Sequence, residues 1–204
     1  MKIGPKYKIA KRLGASVFDK TQTQKFALAM ERREQKRRGR GPTEFGKQLL
    51  EKQKVRMTYG LSEKQFSSYV ATAMGTHATA ELTPSDVLHR LLELRLDNVV
   101  YRLGLAPSRQ ASRQMVSHGH ITVDGRKTTV PSRQVKIGDV IGVRDGSKSS
   151  VMFENFAERS AERTLPQWLS WDAKKMSGGV VAMPSTESAP AAGDLISVLS
   201  FYSR

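Results

Sequence analysis

The 204-residue chain contains no cysteine. Disulfides, thiolate zinc sites, iron–sulfur clusters and cysteine nucleophiles are therefore excluded together. A reducing compartment fits this composition. No run of about 18 apolar residues occurs, so no bilayer-spanning helix is expected. The opening MKIGPKYKIAKRLGASVFDK lacks the apolar stretch of a secretory signal. Asp19, Glu31 and Glu34 argue against an organelle transit peptide. There is no G-x-x-x-x-G-K-[ST] loop for phosphates and no pairing of nucleophile with base. Acids are also scarce, 19 Asp plus Glu against 34 Lys plus Arg, a net charge of +15. So large an excess calls for a polyanionic partner, either nucleic acid or an anionic membrane surface.

The excess is uneven. Thirteen cations and three acids fall in residues 1–42, which hold +10 of the +15. The stretch ERREQKRRGRGP has almost no apolar content and cannot bury enough surface to offset its own ordering. A solvated tail is one reading. The charge density favours a basic arm that orders on nucleic acid, with Arg32, Arg33, Lys36, Arg37, Arg38 and Arg40 as contacts.

Helix signals follow. Thr43 can cap EFGKQLLEKQKVRMTYG, which Gly60 closes. Ser62 and Gln65 form a capping box before an apolar stripe of Phe66, Tyr69, Val70 and Ala73. Thr83, Pro84 and Asp86 start a further helix, whose leucines and valines recur from Leu88 to Leu103 until Gly104 ends it. Ser108 caps another that stops at Gly119. The pattern HITV, Asp124-Gly125, RKTTV reads as a hairpin, and QVKIGDVIGVR adds strand around a Gly138-Asp139 turn. Residues 86–145 thus read as a compact α+β unit. VMFENFAERSAER looks helical, PQWLSWD carries two tryptophans suited to packing, and SGGVVAMPS suggests a turn and short strand. The final DLISVLSFYSR is too apolar to hang free and should dock on the earlier helices.

The helix after Ser108 carries the sharpest signal. At 100° per residue, Arg109, Gln110, Arg113, Gln114 and Ser117 share an arc of about 140° that contains no acid. Ala111, Ser112, Met115, Val116 and His118 take the other side. An ordinary solvated face mixes in Glu or Asp for i, i+4 pairing. Arg offers a fork matched to phosphate, Gln reaches base edges or 2′-hydroxyls, and the helix start at Ser108 suits an anion. A short polar face with no binding role remains the alternative.

From RLDNVVYRLGLAPSRQASRQMVSHGHITVDG through VPSRQVKIGDVIGVR, the sequence resembles the small RNA-binding module named after protein four of the small ribosomal subunit. GKQLLEKQKVRMTYGLSEKQF, PQWLSWD and the terminal FYSR resemble the flanks of that same ribosomal protein, so the likeness spans residues from about 40 to 204. It implies an α+β fold. A mostly helical domain is built from both flanks (43–90 and 160–204), with an inserted small RNA-binding domain (91–159) of two helices and a small twisted antiparallel sheet. It also implies a primary binder of the 5′ domain of small-subunit rRNA, located on cytoplasmic ribosomes, that nucleates the subunit body. Such proteins contact ribosomal protein five, lie near the mRNA entry path and influence decoding accuracy; some repress their own operon. Many bacterial relatives hold the N-terminal region on a four-cysteine zinc site. With no cysteine, this chain resembles the zinc-free branch.

The expected RNA-facing set is Ser108, Arg109, Gln110, Arg113, Gln114, Ser117, His118 and His120, with Arg95, Arg102, Lys47, Lys52, Lys54, Arg56 and the arm cations. His118 and His120 lack a third ligand nearby, so no metal is expected and no other cofactor is implied. Glu93 and Asp97 sit among Arg90, Arg95 and Arg102, which points to ion pairing rather than acid–base catalysis. An RNA-modifying enzyme bearing the same module would need a catalytic domain for which neither flank has room. No enzyme activity, small-molecule substrate or membrane partner is expected.

Overall fold

The computed structural model describes residues 3–35, 41, 43–75, 82–154 and 165–203. The chain divides into two compact units, Met1–Leu88 with Ala191–Arg204, and His89–Pro190.

In the first unit, α1 (Lys6–Leu13) closes on Gly14, whose φ of 69° is left-handed. A 3₁₀ turn at Asp19–Thr21 leads to α2 (Gln24–Gln35). The turn is tied by Thr21, whose hydroxyl donates to the Phe18 carbonyl at 2.7 Å. Ala10, Phe18 and Phe26 form a small apolar cluster, with Ile3, Ile9, Val17, Met30 and Met57 against it. The segment expected as an arm is thus helical over much of its length. Its apolar residues are few but spaced to meet once the chain turns at Gly14 and Phe18. Residues 36–40, the most basic part of the expected arm, lie outside the described residues.

Helix α3 (Glu44–Thr58) begins where Thr43 Oγ1 accepts from Gly46 N at 3.2 Å. Helix α4 (Glu63–Gly75) begins on the Ser62–Gln65 box: Gln65 N donates to Ser62 Oγ at 3.3 Å and Ser62 N donates back to Gln65 Oε1 at 3.5 Å. Phe66, Val70 and Ala73 are buried. The C-terminal helix (Leu195–Tyr202) docks on α3 and α4 as its apolar content requires. Gly193 lets the chain approach: a Cβ there would stand 2.9 Å from a Glu51 carboxylate oxygen and 3.2 Å from Val55. Tyr202 donates to Glu63 at 2.6 Å, and Phe201 lies 5.4 Å from the ring of Phe45. Burial alone would raise the Glu63 pKa. Hydrogen bonds from Lys52 and Tyr202 and the charges of Lys52 and Arg56 outweigh it and hold the carboxyl below its ordinary range.

The second unit begins within α5 (Pro84–Glu93) and continues with α6 (Leu96–Arg102) and α7 (Arg109–Ser117). The hairpin β1 (Ile121–Val123) and β2 (Arg126–Lys127) turns through Asp124 and Gly125, both at positive φ. After β3 (Val140–Val143) come the short helices α8 (Asp145–Lys148) and α9 (Val151–Glu154), then β4 (Leu169–Asp172) and β5 (Ser177–Val180). Helix α10 (Leu195–Tyr202) belongs to the first unit. The sheet runs β2-β1-β3-β5-β4, antiparallel throughout. Leu96, Val99, Val100, Val116, Ile121, Ile141, Trp168 and Val180 belong to the buried core beneath it.

Two expectations need correction. The leucine-rich run is not one helix. It breaks at Leu94–Arg95, where Arg95 is extended (φ −65°, ψ 135°) and bridges Gln134. The loop 131–135 captures the freed backbone: Leu96 N donates to Arg133 O at 2.9 Å, Asp97 N to Pro131 O at 3.0 Å, and Val135 N to Leu94 O at 2.9 Å. Second, the segment expected to join the helical domain from residue 160 continues the sheet of the small unit. Ile141 pairs with Gly178 and Trp171 with Gly178 on the other side. Glycine is required there, since a Cβ on Gly178 would overlap Ser170 O. Of VMFENFAERSAER, Val151–Glu154 is helical and the rest lies outside the described residues.

Candidate nucleic-acid interface

Helix α7 is held by both apolar packing and charged hydrogen bonds. Ser108 Oγ accepts from Ala111 N at 3.2 Å and opens the helix. Met115 and Val116 bury one face. Beneath the other lies a network shared with α6. Arg95 makes a two-point contact with Asp97 at 3.0 and 2.8 Å, and both are buried. Arg113 reaches the same carboxylate from α7 at 2.9 Å. Arg102 grips Glu93, which is fully buried, with two bonds of 2.9 Å. Asn98 donates to Glu93 at 3.0 Å and accepts from Arg109 at 2.8 Å. The Arg109 guanidinium also lies 4.5 Å from the centre of the Tyr101 ring. The ion pairing expected around Glu93 and Asp97 is present through Arg95, at the break before α6, and Arg102 on α6, and Arg113 joins it from α7.

Three guanidiniums meet two carboxylates, and a fourth, that of Arg109, meets the Asn98 amide oxygen. Buried pairs of this kind add little net stability over well-packed apolar residues, yet removing one partner leaves a stranded charge. Two of these bonds, Arg109 to Asn98 and Arg113 to Asp97, tie α7 to α6.

Held this way, α7 exposes Gln110, Gln114, Ser117 and His118, with Arg109 and Arg113 half-buried along the edge. His118 therefore joins the exposed face rather than the packed one. His120 is half-buried, its Nδ1 3.0 Å from Ser147 Oγ. Arg95 is inside the molecule and Arg102 half-buried on Glu93. On α3, Lys52 is buried between Glu63, at 2.8 Å, and the Phe201 and Tyr202 rings. Lys54 pairs with Glu51, and Arg56 with Gln53 and Glu63. Lys47 is exposed beside Glu44. Arg32 is exposed on α2, and Arg33 lies in the same helix. Lys36, Arg37, Arg38 and Arg40 fall outside the described residues.

Sequence reasoning passed over the hairpin cations. Arg126, Lys127, Lys136 and Arg144 are all exposed in the same unit as α7. Lys127 is the clearest. Its stem covers the turn after α7 so closely that a Cβ on Gly119 would overlap Lys127 Cε. This brings an ammonium to the C-terminal, negative end of the helix dipole. The signal was present in RKTTV, where a strand two residues long leaves its side chains in solvent.

Among known proteins, the chain is 44% identical to the small ribosomal subunit protein uS4 of Halothermothrix orenii over 209 residues, 98% of each chain. It belongs to the uS4 family. The uS4 proteins of Syntrophomonas wolfei (45% identity, 80% of this chain and 76% of the relative) and Acetivibrio thermocellus (49%, 71% and 68%) are also similar. Residues 1–93 match the family described as the ribosomal protein S4/S9 N-terminal domain, and residues 94–141 match the S4 domain. The junction falls at the break between α5 and α6. The uS4 relatives are structural ribosomal proteins rather than enzymes. Strands β4 and β5, which complete the sheet, lie beyond the matched S4 domain.

Proposed function

We propose that the protein is a non-catalytic component of the small ribosomal subunit, acting with the ribosome in the cytoplasm, and that α7 with the adjoining hairpin is its principal rRNA contact. The observation that carries this reading is the buried arginine–carboxylate network. It ties α7 to α6 and leaves an acid-free Gln/Ser/His face at the surface, with Arg109 and Arg113 along its edge. Exposed Gln110, Gln114 and Ser117 suit base edges and 2′-hydroxyls, while Arg109, Arg113, Lys127 and Arg126 suit phosphates. The exposed cations of α1 and α2, Lys8, Lys11, Arg12, Lys25 and Arg32, give a second phosphate-binding surface. The target is the 5′ domain of small-subunit rRNA, bound early enough to nucleate the body of the subunit. Contact with ribosomal protein five, a place near the mRNA entry path and an influence on accuracy belong to the same reading.

The test is a salt titration of binding to a 5′-domain rRNA fragment. Each phosphate neutralised contributes a slope of roughly −0.7 to −0.9 in log K against log salt. A flat line would reject the reading. Arg109→Ala with Arg113→Ala should weaken binding, and the protein should remain on the small subunit through a wash that strips electrostatic adherents.

A further inference from the structure

Beside the exposed face of α7 is a cavity of about 340 Å³. Its walls include Pro107, Met115 and Met152, and three polar side chains converge on it, Gln114, His118 and His120. We infer that it receives one unstacked nucleobase of the bound rRNA, an assignment that rests on the reading above. The volume lies at the small end of ligand pockets, which run from about 300 to 1,000 Å³. That suits a single planar base. The cavity is continuous with the face proposed to meet RNA, because Gln114 and His118 are exposed on α7 and also line its wall. None of its lining side chains is acidic, so nothing there repels the phosphates on either side of an inserted base.

The chemistry is selective as well as apolar. Unstacked bases in RNA are held by stacking on aromatic rings, histidine included, and by hydrogen bonds to their edges. The two imidazoles lie 6.2 Å apart and are inclined at 50°, presenting two ring faces at different angles. The Ser147 hydroxyl engages His120 Nδ1 and so fixes that ring without using Nε2. The Gln114 amide both donates and accepts, which fits the paired groups on a base edge. Thioether sulfurs of Met115 and Met152 supply polarizable contact to a ring.

The experiment compares wild type with His118→Ala and Ala111→Phe, the second filling the cavity from its α7 wall. His118 is exposed, so its variant keeps the fold even if Ala111→Phe does not; Trp168 and Trp171 fluorescence reports folding. Affinity for the 5′-domain rRNA fragment is measured across salt, and base reactivity toward dimethyl sulfate and a carbodiimide is mapped in each complex. In the wild-type complex one unpaired base is expected to be protected. The folded variants should restore its reactivity and bind about tenfold more weakly with the salt slope unchanged. Unchanged affinity and unchanged protection would overturn the cavity assignment, whether the cavity stays empty or takes a protein side chain. Weaker binding with a reduced slope and the base still protected would also overturn it, making His118 a phosphate contact. A wild-type protein without salt-dependent binding would instead reject the rRNA reading itself.

Discussion

In the unit His89–Pro190, four arginines turn inward, while Arg126 and Arg144 stand exposed. Arg95 is buried, and Arg102, Arg109 and Arg113 lie half-buried on Glu93, Asn98 and Asp97. In the N-terminal helices of the other unit, Lys8, Arg12, Lys20 and Lys25 stand at the surface, over a small cluster formed by Ala10, Phe18 and Phe26. Around α7, cations tie one element to another, whereas over α1 and α2 they are displayed above apolar packing. The difference teaches that a count of positive charge does not locate a contact surface. Charge that is held by carboxylates contributes geometry, whereas charge left in solvent contributes counterion release.

The contrast can be broken most directly at Asp97. Asp97→Ala removes the carboxylate that the buried Arg95 shares with Arg113, and should destabilise its unit by about 3–5 kcal/mol. Urea denaturation followed by Trp168 and Trp171 fluorescence measures it; a loss under about 1 kcal/mol would mean that the network is not what holds α7. In the helical unit the corresponding cost belongs to apolar contacts. Val198→Ala, at a fully buried position of α10, should cost about 2 kcal/mol through lost burial and a residual cavity.

A triple replacement of Lys8, Arg12 and Lys25 by Ala should leave stability within about 0.5 kcal/mol. The same variant should reduce the salt slope of rRNA binding by roughly 0.7–0.9 for each phosphate that is no longer neutralised. Arg113→Ala should lower stability and affinity together, and a variant set in which the two regions behaved alike would erase the distinction. The units share one device. Ser108→Ala and Thr43→Ala each remove a capping oxygen, and each should cost about 1 kcal/mol in thermal unfolding.

The smallest expected effect is a pH dependence carried by two acids of the helical unit. Glu63 and Asp194 both have lowered pKa values; for Asp194 the main cause is the hydrogen bond from the Ser197 hydroxyl. Their stabilisation is therefore present above the ordinary carboxylate values of 4.5 and 3.8 and is lost as pH falls below them. Glu63 is about half exposed, so solvent screening limits its share to roughly 0.2–1 kcal/mol. Glu63→Gln should flatten the acid limb of the stability profile.

Helix starts were legible in the sequence because a cap needs only residues three apart. Thr43, Ser62 and Ser108 all make the bonds their spacing implies. The Asp124-Gly125 turn and the docking of the last helix were legible for similar reasons, a local conformation and an apolar stretch with no other place to go. The acid-free arc was legible by angle, but its meaning was only half visible. Arg109 and Arg113 could be placed on a face, while Asn98 and Asp97 beneath them could not, since those partners come from another helix. Lys52 looked like any other lysine of a basic helix until α4 and α10 enclosed it.

Sequence by itself determined the net charge, the absence of any thiolate site, the helix caps, the hairpin turn and the polar face of α7. All of these depend on composition or on neighbours within a turn of one another. Tertiary structure alone decided the break at Leu94–Arg95, because the carbonyls of Pro131 and Arg133 that take those backbone donors lie more than thirty residues away. It also decided which arginines remain at the surface, because a guanidinium turns inward where the fold has buried an acceptor for it to meet, the carboxylates of Glu93 and Asp97 or the amide of Asn98.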